Sequence, residues 1–137
     1  MEKLRRYGIC PVILTFAFVL MISGCATVHG VAAQNRSNLL HLSVGMPREE
    51  VLRVMGTETN YVLDVAYQNP HRTEMYRTDT HTFELLLYRT EVGNVSRPSD
   101  RDYTPLVLMD GKLDGWGWIY WHDVAKKYEI KIVYENK

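Results

Sequence analysis

Two rhythms of apolar residues divide the chain. In "NRSNLLHLSVGMPREEVLRVMG" they recur at helical spacing. Asn35 is placed to cap a short helix whose Leu39, Leu40 and Leu42 face inward, and Gly45 closes the connection. A second helix follows, with Pro47 in its first turn and Glu49 and Glu50 near its positive end; Val51, Leu52 and Met55 share a face and Gly56 is the stop. Beyond Gly56 the period becomes two. "YVLDVAY" places Tyr61, Leu63, Val65 and Tyr67 on one side of a strand, with an irregular crossing before "NPHR" as the alternative. "TEMYRT" and "HTFELLLYRTEV" read as two arms of a hairpin around Asp79 and Thr80. The polar stretch "RTEVGNVSRPSDRD" reads as an exposed loop. Asp110-Gly111 supplies a two-residue hairpin turn, because both residue types tolerate positive φ. "KYEIKIVYE" alternates once more and predicts a last strand. The expected fold class is α+β: two short N-terminal helices packed on one face of a three- to five-stranded antiparallel sheet, a two-layer sandwich.

Ahead of this domain the pattern has a different character. "MEKLRRYG" carries Lys3, Arg5 and Arg6, and an apolar segment of about 14 residues follows from Ile9 to Ile22, shorter than the ~20 that span a bilayer. Basic residues before such a segment, and small ones after it, are the anatomy of a secretory signal. "ISGC" then resembles the lipobox of bacterial lipoproteins, which implies lipidation of Cys25 after a signal peptide of residues 1–24. Cleavage there removes Cys10 and leaves Cys25 as the only cysteine, so no internal disulfide forms. Each buried acyl CH2 contributes ~0.8 kcal/mol, so two or three chains anchor the protein firmly. Residues 25–34, with "ATVHGVAAQ", are small and weakly patterned and read as a flexible tether, leaving 35–137 as the domain. Ala26 in place of Asp favours the outer membrane over the inner one under the enterobacterial sorting rule. The expected location is the cell envelope, facing the periplasm.

Composition narrows the partners. Without Glu2, Lys3, Arg5 and Arg6, the 16 basic and 16 acidic side chains fall to 13 and 15, so the mature domain has no basic footprint for nucleic acid. Its expected partners are the membrane, through the lipid, and another envelope protein. The five histidines, His29, His41, His71, His81 and His122, show no metal-ligand spacing; no phosphate loop or nucleophile elbow is present. The sequence therefore predicts no metal, no cofactor and no enzymatic activity.

"LSVGMPREEVLRVMG" is similar to the leading motif of small outer-membrane lipoproteins of the SmpA/OmlA, or BamE-like, type. "NPHRTEMYR", "ELLLYRT" and "TPLVLMDGKLDGWGW" resemble an uncharacterised branch of them, with a strand ending in Tyr-Arg before "TPL" and a "GWG". The resemblance spans most of residues 39 to 121. It implies two helices on an antiparallel sheet, no catalysis, and a role beside outer-membrane assembly or maintenance. Pro47 stands where such proteins often carry Ser or Thr, so the usual capping hydroxyl is absent.

Aromatic residues supply the remaining candidate site. If "GWGWIYW" continues a strand, Trp116, Trp118 and Tyr120 share one face and Ile119 and Trp121 the opposite one. Either both rows pack, or the first is a contact surface of the kind that Trp and Tyr favour. The leading function is a non-catalytic, lipid-anchored envelope protein that binds another envelope protein. The alternative is a periplasmic binding module holding a small apolar or peptide-like ligand on that row.

Overall fold

The computed structural model describes residues 27–62 and 64–131. The leader and Cys25 lie outside them, as do residues 132–137. Among the described residues three α-helices and two antiparallel sheets, of two and four strands, give an α+β architecture.

Helix α1, Val28–Leu39, starts where the Thr27 hydroxyl accepts the Gly30 N–H at 2.9 Å. Its start corrects two expectations, since residues 28–34 were read as tether and Asn35 as a cap. Val28, Val31, Ala32 and Asn35 form one stripe at helical spacing, and all four are buried. The stripe is hard to recognise because its members are small and one is polar. Leu40, expected to face inward, is 83% exposed, while Leu42 is buried.

Helix α2, Arg48–Met55, follows Pro47, which makes no side-chain cap. The helix start is instead pinned to a hairpin: Pro47 bridges to Lys112, and the Arg48 N–H donates to the Gly111 carbonyl at 3.0 Å. Glu49 and Glu50 occupy the first turn, Val51 and Met55 are buried, and Gly56 ends the helix at φ 81°.

"YVLDVAY" is not one strand. Strands β1, Thr59–Val62, and β2, Val65–Gln68, pair with each other as a separate two-stranded ribbon, folded back at Asp64, whose φ is 63°. The main sheet runs in the order β3, Arg72–Arg77; β4, Thr82–Arg89; β5, Tyr103–Met109; β6, Lys112–Trp116. Its first hairpin turns through Asp79 and Thr80 as expected, closed by the Thr78 N–H on the His81 carbonyl at 2.9 Å. Its second turns at Asp110 and Gly111, with φ of 50° and 80°. Opposite Val107 and Leu108 the β6 register slips, leaving Asp114 as the extra residue of a bulge.

Both faces of the sheet are covered, which explains the unbroken "LLLY" of β4. Leu86, Tyr88, Leu106, Leu108 and Leu113 cluster with Leu42, Val51 and Met55. Phe83, Leu85, Leu87, Tyr103 and Val107 cluster with Trp121, Val124 and Ala125 of a third helix, α3, Trp118–Lys127. The expected two layers therefore become three. The expected last strand is corrected over residues 127–131, where Tyr128 caps α3, the Ile130 N–H donates back to the Ala125 carbonyl at 2.8 Å, and both side chains pack against the cluster that α3 shares with the sheet; the rest of that strand lies outside the described residues. Among the described residues no helix is long and apolar enough to cross a membrane.

Candidate functional site

The aromatic row does not exist as a row. Strand β6 stops at Trp116, Gly117 takes φ 95°, and α3 begins at Trp118. Only a residue without Cβ enters that conformation readily, so the glycine of "GWGW" marks a strand-to-helix corner. Trp116 remains on the sheet, 37% exposed. Trp118 is half-buried and turned inward, its indole N–H shared by the carbonyls of Asp100 at 3.0 Å and Tyr103 at 2.8 Å. The Tyr120 hydroxyl donates to Asp114 at 2.6 Å. Its ring lies against Gly115, where a Cβ would come within 2.5 Å of ring carbon. Burial first, and then the Asp114 carboxylate, raise the Tyr120 pKa above that of an ordinary phenol. Trp121 sits in the core against Tyr76 and Phe83. The corner instead presents Ile119, 83% exposed and three residues after Trp116, a residue that strand alternation had assigned to the opposite face.

A second constellation lies where β4 ends. Arg89 and Tyr103 are directly paired across β4 and β5, and the guanidinium donates to the Tyr103 hydroxyl at 2.6 Å. The same guanidinium lies over the rings of Tyr103 and Tyr67, 4.8 and 5.5 Å from their centroids. His71 stacks on Tyr103 at 4.3 Å. Burial chiefly, with the charges of Arg89 and Arg72 added, lowers the His71 pKa and favours neutral imidazole; burial raises that of Tyr103. Behind the strand, Asn35 and Asn69 exchange amide hydrogen bonds at 3.1 and 3.0 Å, and Asn35 also donates to the Arg89 carbonyl at 2.8 Å. Arg36 donates to the carbonyl of Thr90. The sequence showed no site in "ELLLYRT"; the available signal was an arginine after four consecutive apolar residues.

A cleft of about 470 Å³ lies against α1, α2 and β1, with amides of Gln34, Asn35, Asn38, Asn60 and Asn69 on its walls. Three histidines have separate neighbours: His81 meets Asp110 at 2.6 Å, His71 stacks on Tyr103, and the His122 ring centroid lies 6.3 Å from that of Trp118. Among the described residues no three His, Cys, Asp or Glu side chains converge as metal ligands would. No family model, curated protein or solved structure matches the chain.

Proposed function

We propose that the protein is a non-catalytic, lipid-anchored component of the bacterial cell envelope, facing the periplasm, which binds another envelope protein. The observation that carries this reading is "ISGC" at the end of a basic and then apolar leader, with Cys25 as its acceptor. In this reading α1 and α2 share one side of the sheet, as in BamE-like lipoproteins. The cluster joining Val51, Met55 and the partly buried Leu39 to Leu86 and Leu106 supports that arrangement. The contact surface is reassigned from Trp116, Trp118 and Tyr120 to the corner formed by Trp116 and Ile119. Hydrogen bonding already engages Trp118 and Tyr120, whereas Ile119 and Trp116, three residues apart in the chain, both expose large apolar side chains.

The anchor is tested by labelled palmitate. Cys25→Ala loses the label and accumulates as uncleaved precursor; undiminished labelling overturns the lipoprotein reading. The surface is tested by a photoreactive residue at position 119, which yields a discrete protein adduct in intact envelopes. A smear identical to that from a probe at exposed Lys126 counts against it.

A further inference from the structure

Arg89 is a cation with almost no water and, among the described residues, no ion-pair partner. It is 6% exposed, and its described contacts are one neutral phenol and two aromatic faces. A guanidinium stays charged in a protein, so burial without a carboxylate is unfavourable. The carboxylates near it are engaged elsewhere. Asp102 accepts the N–H groups of Gly93 at 3.1 Å and Ser99 at 2.9 Å, and both Asp100 and Glu74 pair with Arg72. No fully buried side-chain nitrogen among the described residues lacks a partner. The guanidinium nitrogens not bonded to Tyr103 are therefore not fully enclosed by the protein.

We propose that Arg89, flanked by Tyr67 and Tyr103, is a binding site for a small oxyanion, a carboxylate or phosphate group. The planar fork of arginine matches such a group through paired N–H bonds, and charge-assisted bonds strengthen where aromatic walls keep water away. The local structure holds the fork in place. The Tyr103 hydroxyl fixes one nitrogen, and Asn35 clamps the Arg89 backbone through its carbonyl. His71 stacks on the Tyr103 ring and so braces that wall, and burial favours its neutral form. The proposal is independent of the lipid anchor and of the Trp116 corner, and nothing in it requires a protein partner.

The test is a titration of the full-length, nitrogen-15-labelled protein in neutral detergent micelles with sodium acetate and, separately, sodium phosphate, against sodium chloride at matched ionic strength. The readout is the arginine Nε–Hε NMR signals, with Arg89 assigned by its absence in Arg89→Lys. A saturable shift of the Arg89 signal, larger than those of Arg36 and Arg72, supports the site; acetate alone identifies a carboxylate site and phosphate alone a phosphate site. Linear drift equal to that in chloride, or equal movement of all three arginines, overturns it. Saturable shifts of the neighbouring backbone amides should weaken on the order of tenfold in Arg89→Lys, which keeps charge but loses the fork. Tyr67→Leu removes one wall and should weaken binding as well, and undiminished binding in both folded variants also overturns the proposal.

Discussion

The two ends of strand β4 are built by different chemistry. At its start, Thr82 and Asp110 exchange bonds across the turn end of the sheet: the Asp110 N–H donates to the Thr82 carbonyl at 2.9 Å, and the Thr82 N–H to the Asp110 carboxylate at 2.9 Å. Both residues sit at tight turns, and the bonds between them face solvent. At its finish, Asn35, Asn69, Arg89, Thr90 and Asp102 are all buried, and their partners come from segments far apart in the chain. Turn chemistry accounts for the first end. The second carries a buried polar network, which stabilises only while every member is satisfied. A domain this small can cover such an end with apolar side chains, so the arginine and the amides there call for a role.

The largest effect is expected at the polar end. Asn35→Ala removes the partner of the Asn69 amide and of the Arg89 carbonyl, and each buried polar group left unpaired costs ~1–3 kcal/mol. Alanine's better helix propensity offsets only about 0.5 kcal/mol of this. A net loss of about 3 kcal/mol, out of the ~5–15 that holds a domain folded, is expected in urea unfolding. A loss below about 0.5 kcal/mol, within the range of ordinary surface changes, breaks the comparison.

The turn end should respond through backbone strain. At Gly111 a Cβ would meet nothing within 4 Å, so Gly111→Val costs no clash, only the φ of 80°. Holding a β-branched residue there costs ~1–3 kcal/mol. The same unfolding measurement should show about 2 kcal/mol; an unchanged midpoint means that the turn relaxes into another type, and the local account of this end fails.

These two positions also show what sequence could and could not carry. Asp110-Gly111 was legible because its information is contained in two adjacent residues. So were α2, with Glu49, Glu50, Val51, Met55 and Gly56 in their expected places, and the β3–β4 hairpin. Asn35 was misassigned as a cap because its preference for caps is local, whereas its partner Asn69 lies 34 residues away. The end of β6 failed for a related reason. "GWGWIYW" satisfies strand alternation, but its α3 stripe, Trp121, Val124 and Ala125, extends past the quoted segment, and Gly117 is compatible with either continuation until φ is known. Arg89 carries no local signal beyond its position after four apolar residues.

Between the two ends lies the corner, where indole substitutions sharpen the contrast. Trp118→Phe deletes the donor that joins α3 to the carbonyls of Asp100 and Tyr103 and should cost about 1 kcal/mol. Trp116→Phe deletes an indole N–H on an exposed side chain and should fall within about 0.5 kcal/mol of the parent. Equal losses in parallel melts show that the two tryptophans share an environment after all, and the strand-to-helix corner at Gly117 goes with the result.

The smallest effect is a pH dependence confined to the turn end. The Thr82 N–H, and after it the hydrogen bond to His81, hold the Asp110 carboxyl below its ordinary value of 3.8. A carboxylate with a lowered pKa stabilises the fold above its unfolded value, and the contribution disappears as pH falls through the folded one. Asp110→Asn keeps a residue type that tolerates positive φ but cannot ionise, so it isolates this contribution from strain. The parent should melt above the variant at neutral pH, and the gap should close as pH falls through and below 3.8. A gap that stays constant across the acid range would mean that the Thr82 and His81 bonds survive protonation of Asp110, and the turn end would then owe nothing to its charge.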